Sequence, residues 1–219
     1  EIGSGLVGSE MCIRDRRRTM PKTKDLYIDI GAASKAAAED KVSLGDYGVF
    51  DSAVVEFGDG LIKAKAIDDR VGCAALLKLI EDEPPIDTWF CFTVQEEVGL
   101  RGAASMAYAL DPGFAMVLEG TTAADLAEVE GGKAVCRVRG GVVLPFMDGA
   151  TIYDAELFEL LRNACDKRGI RWQTKTRVAG GTDAGRIHKS RAGVRVCAAA
   201  APVRYIHSPS SVAAVADCE

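Results

Sequence analysis

Paired cysteines, a long apolar run and a basic face are all missing from this sequence. Its seven cysteines (12, 73, 91, 136, 165, 197 and 218) are scattered, with no CxxC and no paired spacing, which excludes a disulfide framework and a zinc–thiolate site. Several of them sit inside apolar runs, so the expectation is buried free thiols in a reducing, cytoplasmic compartment. No apolar stretch is long and uninterrupted enough to span a bilayer, so no membrane partner is expected. A formal charge of -5, with no basic stripe carrying interleaved aromatics, argues against nucleic acid; the short basic run from Arg14 to Arg18 has no such context. Histidine is scarce too, with His188 and His207 the only two.

What is present is 219 residues with 48% hydrophobic content, enough for one good core plus a smaller lobe. Residues 1–20 read differently from the rest. They show no sustained period and lack the charged start and apolar centre of a signal peptide. The core Gly5-Leu-Val-Gly-Ser-Glu-Met-Cys-Ile-Arg-Asp15 resembles translated sequencing-adapter read-through, so 1–20 is set aside as a non-native or disordered segment.

From Asp25 the chain looks β-rich. Leu26–Ile30 alternates as a strand, and Ser34 is placed to cap a short helix over 35–40. Short strands are expected at 47–50, 53–57 and 61–66, with Gly58-Asp-Gly60 forming a hairpin turn. Residues 21–63 are too few to bury a core alone and read as the C-terminal part of an inserted β-rich lobe.

After Asp68 helices and strands alternate. Val71–Ile80 and Leu100–Leu110 read as helices, and a third helix follows Asp154 as cap and stops at Gly169. Strands are expected at 88–94, 114–118, 134–139, 170–174 and 195–203; the first, Thr88-Trp-Phe-Cys-Phe-Thr-Val94, is apolar enough to be buried on both faces. The fold class is therefore α/β, a mixed or parallel sheet with helices on both faces.

Chemistry is expected where these apolar runs stop. Lys63–Ile67 runs into Asp68-Asp69, Thr88–Val94 leads to Glu96-Glu97, Phe114–Leu118 meets Glu119, and the run from Arg195 leads through Arg204-Tyr-Ile to His207. Ligands of open α/β sheets gather beyond the carboxyl ends of strands, so these four termini should share a cleft. Adjacent Glu96 and Glu97 in extended chain would point to opposite sides, so one carboxylate can bind a metal while the other reaches a metal-bound water. The same pair taken alone equally describes a solvated strand end.

The motifs Ala66-Ile-Asp-Asp-Arg-Val-Gly72, Thr93-Val-Gln-Glu-Glu-Val-Gly-Leu-Arg-Gly-Ala103, Leu118-Glu-Gly-Thr-Thr-Ala-Ala-Asp125, Gly180-Gly-Thr-Asp-Ala184 and Val203-Arg-Tyr-Ile-His-Ser-Pro209 resemble, in order and spacing, the tetrahedral-aminopeptidase family. These dinuclear metallopeptidases include glutamyl and deblocking aminopeptidases, and some members carry cellulase or endoglucanase labels. The resemblance covers about residue 21 to the end. It implies a metal-dependent aminopeptidase with a zinc-peptidase-like catalytic domain over 64–219, truncated at its end.

By the same resemblance, Asp68 bridges two divalent ions, zinc or cobalt and sometimes manganese. Glu97 and Glu119 each complete one metal's shell, His207 binds the second, and Glu96 is the general base. A cis peptide is implied after Asp68. Gly180, Gly181, Thr182 and Asp183 would line the substrate pocket, Asp69 would orient its neighbour, and Asp125 would be structural. His188, among Arg186, Lys189 and Arg191, reads as solvated helix surface. Peptides are the implied substrates, and the β-lobe implies homo-oligomers from dimer to dodecamer.

One departure stands out. The family's further metal-binding histidine, in an upstream His-x-Asp-Glu motif, has no counterpart here. The chain accordingly reads as an internal fragment of an active parent, inactive on its own. Two other classes compete: a non-catalytic binding or assembly subunit, which the missing histidine favours, and a glycosidase. The latter needs its carboxyls facing each other across a sugar, at about 5 to 9.5 Å. Adjacent Glu96 and Glu97 do not supply that arrangement.

Overall fold

The computed structural model describes residues 6–8, 22–127, 129 and 134–218. Two compact units divide at Asp51 and Ser52. The segment set aside above, 1–20, lies outside the described residues apart from β1 (Leu6–Gly8), which pairs antiparallel with β2 (Tyr27–Asp29). In the same unit the Ser34 hydroxyl accepts the Ala37 amide at 3.2 Å and so opens α1 (Lys35–Glu39). The strand expected at 47–50 does not form: those residues are exposed and outside any ladder.

The second unit, 52–219, begins with β3 (Val55–Phe57) and β4 (Leu61–Ala64), an antiparallel hairpin that turns through Gly58-Asp-Gly60 with Phe57 opposite Leu61. Next come α2 (Ile67–Glu81), α3 (Arg101–Leu110), β5 (Phe114–Thr122), β6 (Val142–Val143), α4 (Ala155–Arg168), β7 (Trp172–Gln173), α5 (Ala184–Ile187), β8 (Arg195–Val203) and β9 (Ser211–Ala214). Strand β9, from the far end of the chain, completes a three-stranded sheet in the order β3-β4-β9. The second sheet runs β5-β8-β6-β7 and is mixed: β5 with β8 and β6 with β7 are parallel, β6 with β8 antiparallel.

Strand β8 runs through all three core clusters. Val196 and Ala198 pack with Ala103 and Ala107 of α3 and Ile187 of α5. Ala200 joins Val143, Cys136 and Ala214, while Val203 joins Ile67 and Ala213. Val196, Ala198 and Ala200 share one side of β8 and Val203 falls on the other, as the period of a strand requires. The fold is a mixed α/β domain. Among the described residues no helix is long and apolar enough to cross a membrane, and cysteines 73, 91, 136, 165 and 197 are free thiols.

Two further expected strands, both in the second unit, are absent. Residues 87–93 join no sheet, and Trp89, Phe92 and Val94 are exposed. Apolar content reports a need for burial, but a strand also needs a ladder partner, and β5 is bonded to β8 alone. Residues 134–139 fail for a different reason. The Arg137 amide is taken by the Gln173 side chain, the Val138 amide by Asp125 and the Arg139 amide by Asp217, so side chains occupy the donors a ladder would use.

Candidate functional site

Parallel pairing of β5 and β8 sends both strands out at one edge of the sheet. Glu119 lies opposite Ala200 in that register, and Thr122 opposite Val203. Beyond the exits, Arg204 grips Asp125 through two hydrogen bonds, Nε to Oδ1 at 2.7 Å and an Nη2 contact to Oδ2 at 2.8 Å. The Asp125 side chain is 6% exposed and also accepts the Val138 amide. Asp125 is therefore structural, as the resemblance implies; the role of Arg204 was missed, although it sits inside the Arg-Tyr-Ile-His-Ser-Pro motif.

The loop between β8 and β9 delivers His207. Its base is closed by reciprocal bonds between Arg204 and Val212, and the Ser211 hydroxyl donates to the Tyr205 carbonyl at 3.2 Å. His207 itself has φ 59, a left-handed conformation that histidine tolerates better than most side chains.

Asp68 comes from the start of α2. Ala66 is left-handed, the Asp68–Asp69 peptide bond is cis as the resemblance implies, and regular helix begins only after Asp69. The Gly72 amide donates to Asp69 Oδ1 at 3.0 Å, which holds that neighbour in place. Glycine is required here because a Cβ on Gly72 would lie 2.4 Å from both Asp69 Oδ2 and the Leu118 carbonyl oxygen. Across from it, Gly120 leaves room for Asp68, whose Cβ would be 3.1 Å from an added one.

Glu96 and Glu97 occupy the turn that leads into α3, whose cap residue Leu100 has φ 58. The amides of Gly99 and Leu100 donate to the Glu96 carbonyl at 3.0 and 2.8 Å.

These three segments converge. His207 Nε2 lies 3.5 Å from Asp68 Oδ2 and 3.3 Å from Glu97 Oε2, and one ligand atom from each residue falls within 4.8 Å of the others. Glu119 stands outside that trio. His188 also does, and it is half-buried instead of solvated: its Nδ1 lies 2.7 Å from the carbonyl oxygen of Ala184, the first residue of α5. The turn at Gly180 and Gly181 is exposed, whereas Thr182 and Asp183 are buried.

Electrostatics mark the same place. Burial and then the Glu97 carboxylate push Asp68 up to about 6, against the pull of His207. Burial followed by Glu97, Asp183 and Asp68 pushes Glu96 up to about 7. Glu119 is raised well above the ordinary carboxyl value, chiefly by burial; Lys175 pulls it down, while Asp68, Asp69 and Glu96 add to the rise. Carboxyls crowded in this way oppose one another's ionisation, and a nearby positive charge relieves that opposition. Carboxylate oxygens with one imidazole nitrogen suit a divalent ion, and zinc and cobalt accept that mixture.

The chain shares its fold with aminopeptidases of known structure. It superposes on aminopeptidase APDkam598 of the archaeon Desulfurococcus kamchatkensis with a TM-score of 0.90 at 34% identity, over 98% of this chain and 61% of that one. The TET1 peptidase of Pyrococcus horikoshii, which can assemble into a tetrahedron or a large octahedral shell, follows the same path at TM-score 0.78 and 27% identity, over 98% and 64%. A curated relative, a putative aminopeptidase of Acetivibrio thermocellus, is 38% identical over 194 residues, 88% of this chain and 58% of the relative. The chain belongs to the M42 glutamyl aminopeptidase family, whose profile matches residues 4–219. It spans about three-fifths of the length of these relatives.

Proposed function

We propose that this chain carries catalytic machinery of a metal-dependent aminopeptidase that removes N-terminal residues from peptides. The observation that carries this reading is the meeting of Asp68, Glu97 and His207, from three distant segments, within 4.8 Å. With Glu119, these residues would hold two divalent ions, zinc or cobalt and in some settings manganese. Bound there, such ions supply Lewis acidity and lower the pKa of water.

Glu96 is the proton carrier. Its carboxylate takes a proton from the attacking water and returns it to the nitrogen of the leaving amine. Burial raises this carboxyl above its ordinary value, which helps it hold the proton between the two halves of that exchange. The exposed backbone of Gly180 and Gly181 lines the approach, and the acidic surroundings favour a substrate with a free, positively charged amino terminus. Glu96 and Glu97 are adjacent, which does not provide the facing acid and base of a glycosidase.

Likeness to the shell-forming TET1 peptidase supports assembly into homo-oligomers through the β-rich lobe. Buried free thiols at Cys136, Cys165 and Cys197 support a reducing, cytoplasmic setting. With His188 engaged at Ala184, His207 is the one imidazole this chain brings to the cluster, which favours a second reading as a non-catalytic assembly subunit.

Titration of the chain with zinc or cobalt by calorimetry, beside assays for N-terminal amino-acid release and for new reducing ends, tests these readings. Cation binding that His207→Ala abolishes, with amino-acid release, supports the aminopeptidase. Cation binding without release supports the assembly subunit, and no binding at all overturns the metal site.

A further inference from the structure

Asp183 follows two exposed glycines, yet its side chain turns inward and is 8% exposed. Its Oδ2 accepts the Thr93 hydroxyl at 2.5 Å, a bond across 90 residues and within the range of charge-assisted hydrogen bonds. The other oxygen, Oδ1, is buried with no partner among the described residues. Burial pushes the Asp183 carboxyl up, and the Thr93 hydroxyl opposes that rise.

Thr93 stands three residues before Glu96. The acidic turn beyond it is knit within itself: Gly99 and Leu100 donate to the Glu96 carbonyl, Arg101 to that of Gln95 and Gly102 to that of Val94. None of these bonds fixes the turn to the sheet, and residues 87–93, immediately ahead, belong to no ladder. Packing of Ala103 and Ala107 on β8 holds the exit of the turn, and the Thr93–Asp183 bond ties its entry.

The Asp183 end is itself braced. Thr182 is 1% exposed, and its Oγ1 accepts the Ala184 amide at 3.1 Å and lies 3.2 Å from the Tyr153 hydroxyl. Tyr153 donates to Asp148 Oδ2 at 2.6 Å, while Asp148 Oδ1 takes the amides of Ala150 and Thr151 at 2.8 Å each. The Gly149 amide also donates to the Gly180 carbonyl at 2.8 Å. Two loops, 148–153 and 180–184, thus form one hydrogen-bonded frame around the buried Asp148, Tyr153 and Thr182 side chains.

The geometry points to Asp183 as a positioning residue: through Thr93 it holds the Glu96–Glu97 turn, on a base fixed by Tyr153 and Asp148. Its carboxylate serves this anchor rather than contacting substrate. The consequence for metal rests on the reading of Glu97 as a ligand; the consequence for the turn does not.

The test uses the whole chain with cobalt(II) as probe, following affinity, the visible spectrum of the bound ion and amide exchange at Gly99 and Leu100. Thr93→Val should weaken cobalt binding by at least about tenfold, as loss of support behind a ligand does. It should also alter the spectrum and speed exchange at both amides, and Thr93→Ser should restore all three. Asp183→Asn keeps an oxygen to accept the hydroxyl and should track the unmutated protein, whereas Asp183→Ala should track Thr93→Val. Unchanged exchange and affinity in Thr93→Val would overturn the proposal, as would Asp183→Asn falling as far as Asp183→Ala. If Thr93→Val does not fold, the contrast between the two Asp183 variants decides. If the unmutated chain binds no cobalt, the metal reading fails and amide exchange alone decides the anchor.

Discussion

The imidazole of His207 meets the carboxylate of Glu97 at 3.3 Å, Nε2 to Oε2, one side chain from the loop between β8 and β9 and the other from the turn before α3. The two elements are far apart in sequence, and they meet because Ala103 and Ala107 of α3 pack on Val196 and Ala198 of β8, which brings the Glu97 turn toward the end of the strand that leads to His207.

That meeting separates the roles of the two glutamates. Glu97→Gln replaces an anionic donor by a neutral one and should weaken zinc or cobalt binding by tenfold or more, on the order expected for a damaged ligand shell. Glu96→Gln should leave affinity near that of the unmutated chain, because its part is proton transfer; peptide release, where present, should fall by about 100-fold or more. Calorimetry beside a release assay reads both, and equal losses of affinity would show that the pair is assigned wrongly.

Acidity should act on the cation-free chain in a defined direction. Asp68 rises from 3.8 to about 6 and Glu96 from 4.5 to about 7 on folding, so between those limits the folded state binds more protons than the unfolded one. Stability from these groups is therefore present at low pH and lost as pH rises through the folded values. In chelator, the melting temperature should decline from about pH 4 to about pH 7 on their account, and Glu96→Gln should flatten that decline.

The Arg204–Asp125 pair has the opposite sign. Burial alone would raise the Asp125 carboxyl, but the hydrogen bonds from Arg204 and Val138 outweigh it and hold the group below its ordinary 3.8. Its contribution is complete above 3.8 and lost as pH falls through the depressed value. Asp125→Asn should destabilise the domain by about 1.5–3 kcal/mol near neutral pH, the range for hydrogen bonds to charged groups. Urea unfolding at neutral pH and at acid pH would check it, the difference between variants shrinking in acid.

Gly72 provides a steric test. A methyl group there would meet Asp69 Oδ2 and the Leu118 carbonyl oxygen at 2.4 Å, so Gly72→Ala should force α2 away from β5. The cost should be about 1–3 kcal/mol, typical of overpacking, despite alanine's better helix propensity. Cobalt affinity should fall with it, since Asp68 is carried on the same turn.

Local chemistry was legible without coordinates. Ser34 and Asp154 cap the helices their positions announce, the latter accepting the Leu157 amide at 3.0 Å, and Gly169 ends α4 with φ 67. The turn at 58–60 makes its hairpin, and β5 and β8 lie where the apolar runs place them. Each of these depends on a few neighbouring residues, which a sequence displays in full.

Tertiary structure decided the rest, because the deciding partners are distant. The apolar run 88–94 lacks a ladder neighbour, and 134–139 has its amides taken by Gln173, Asp125 and Asp217, none of them predictable from alternation. Ser211–Ala214, all small or polar apart from Val212, becomes a buried strand only because β4 lies beside it. The sequence by itself determined which residue types stand at the strand ends; only the fold decided that Asp68, Glu97 and His207 would meet while Asp183 turned inward to Thr93. A side chain's direction depends on what packs across from it, and that is a property of three dimensions.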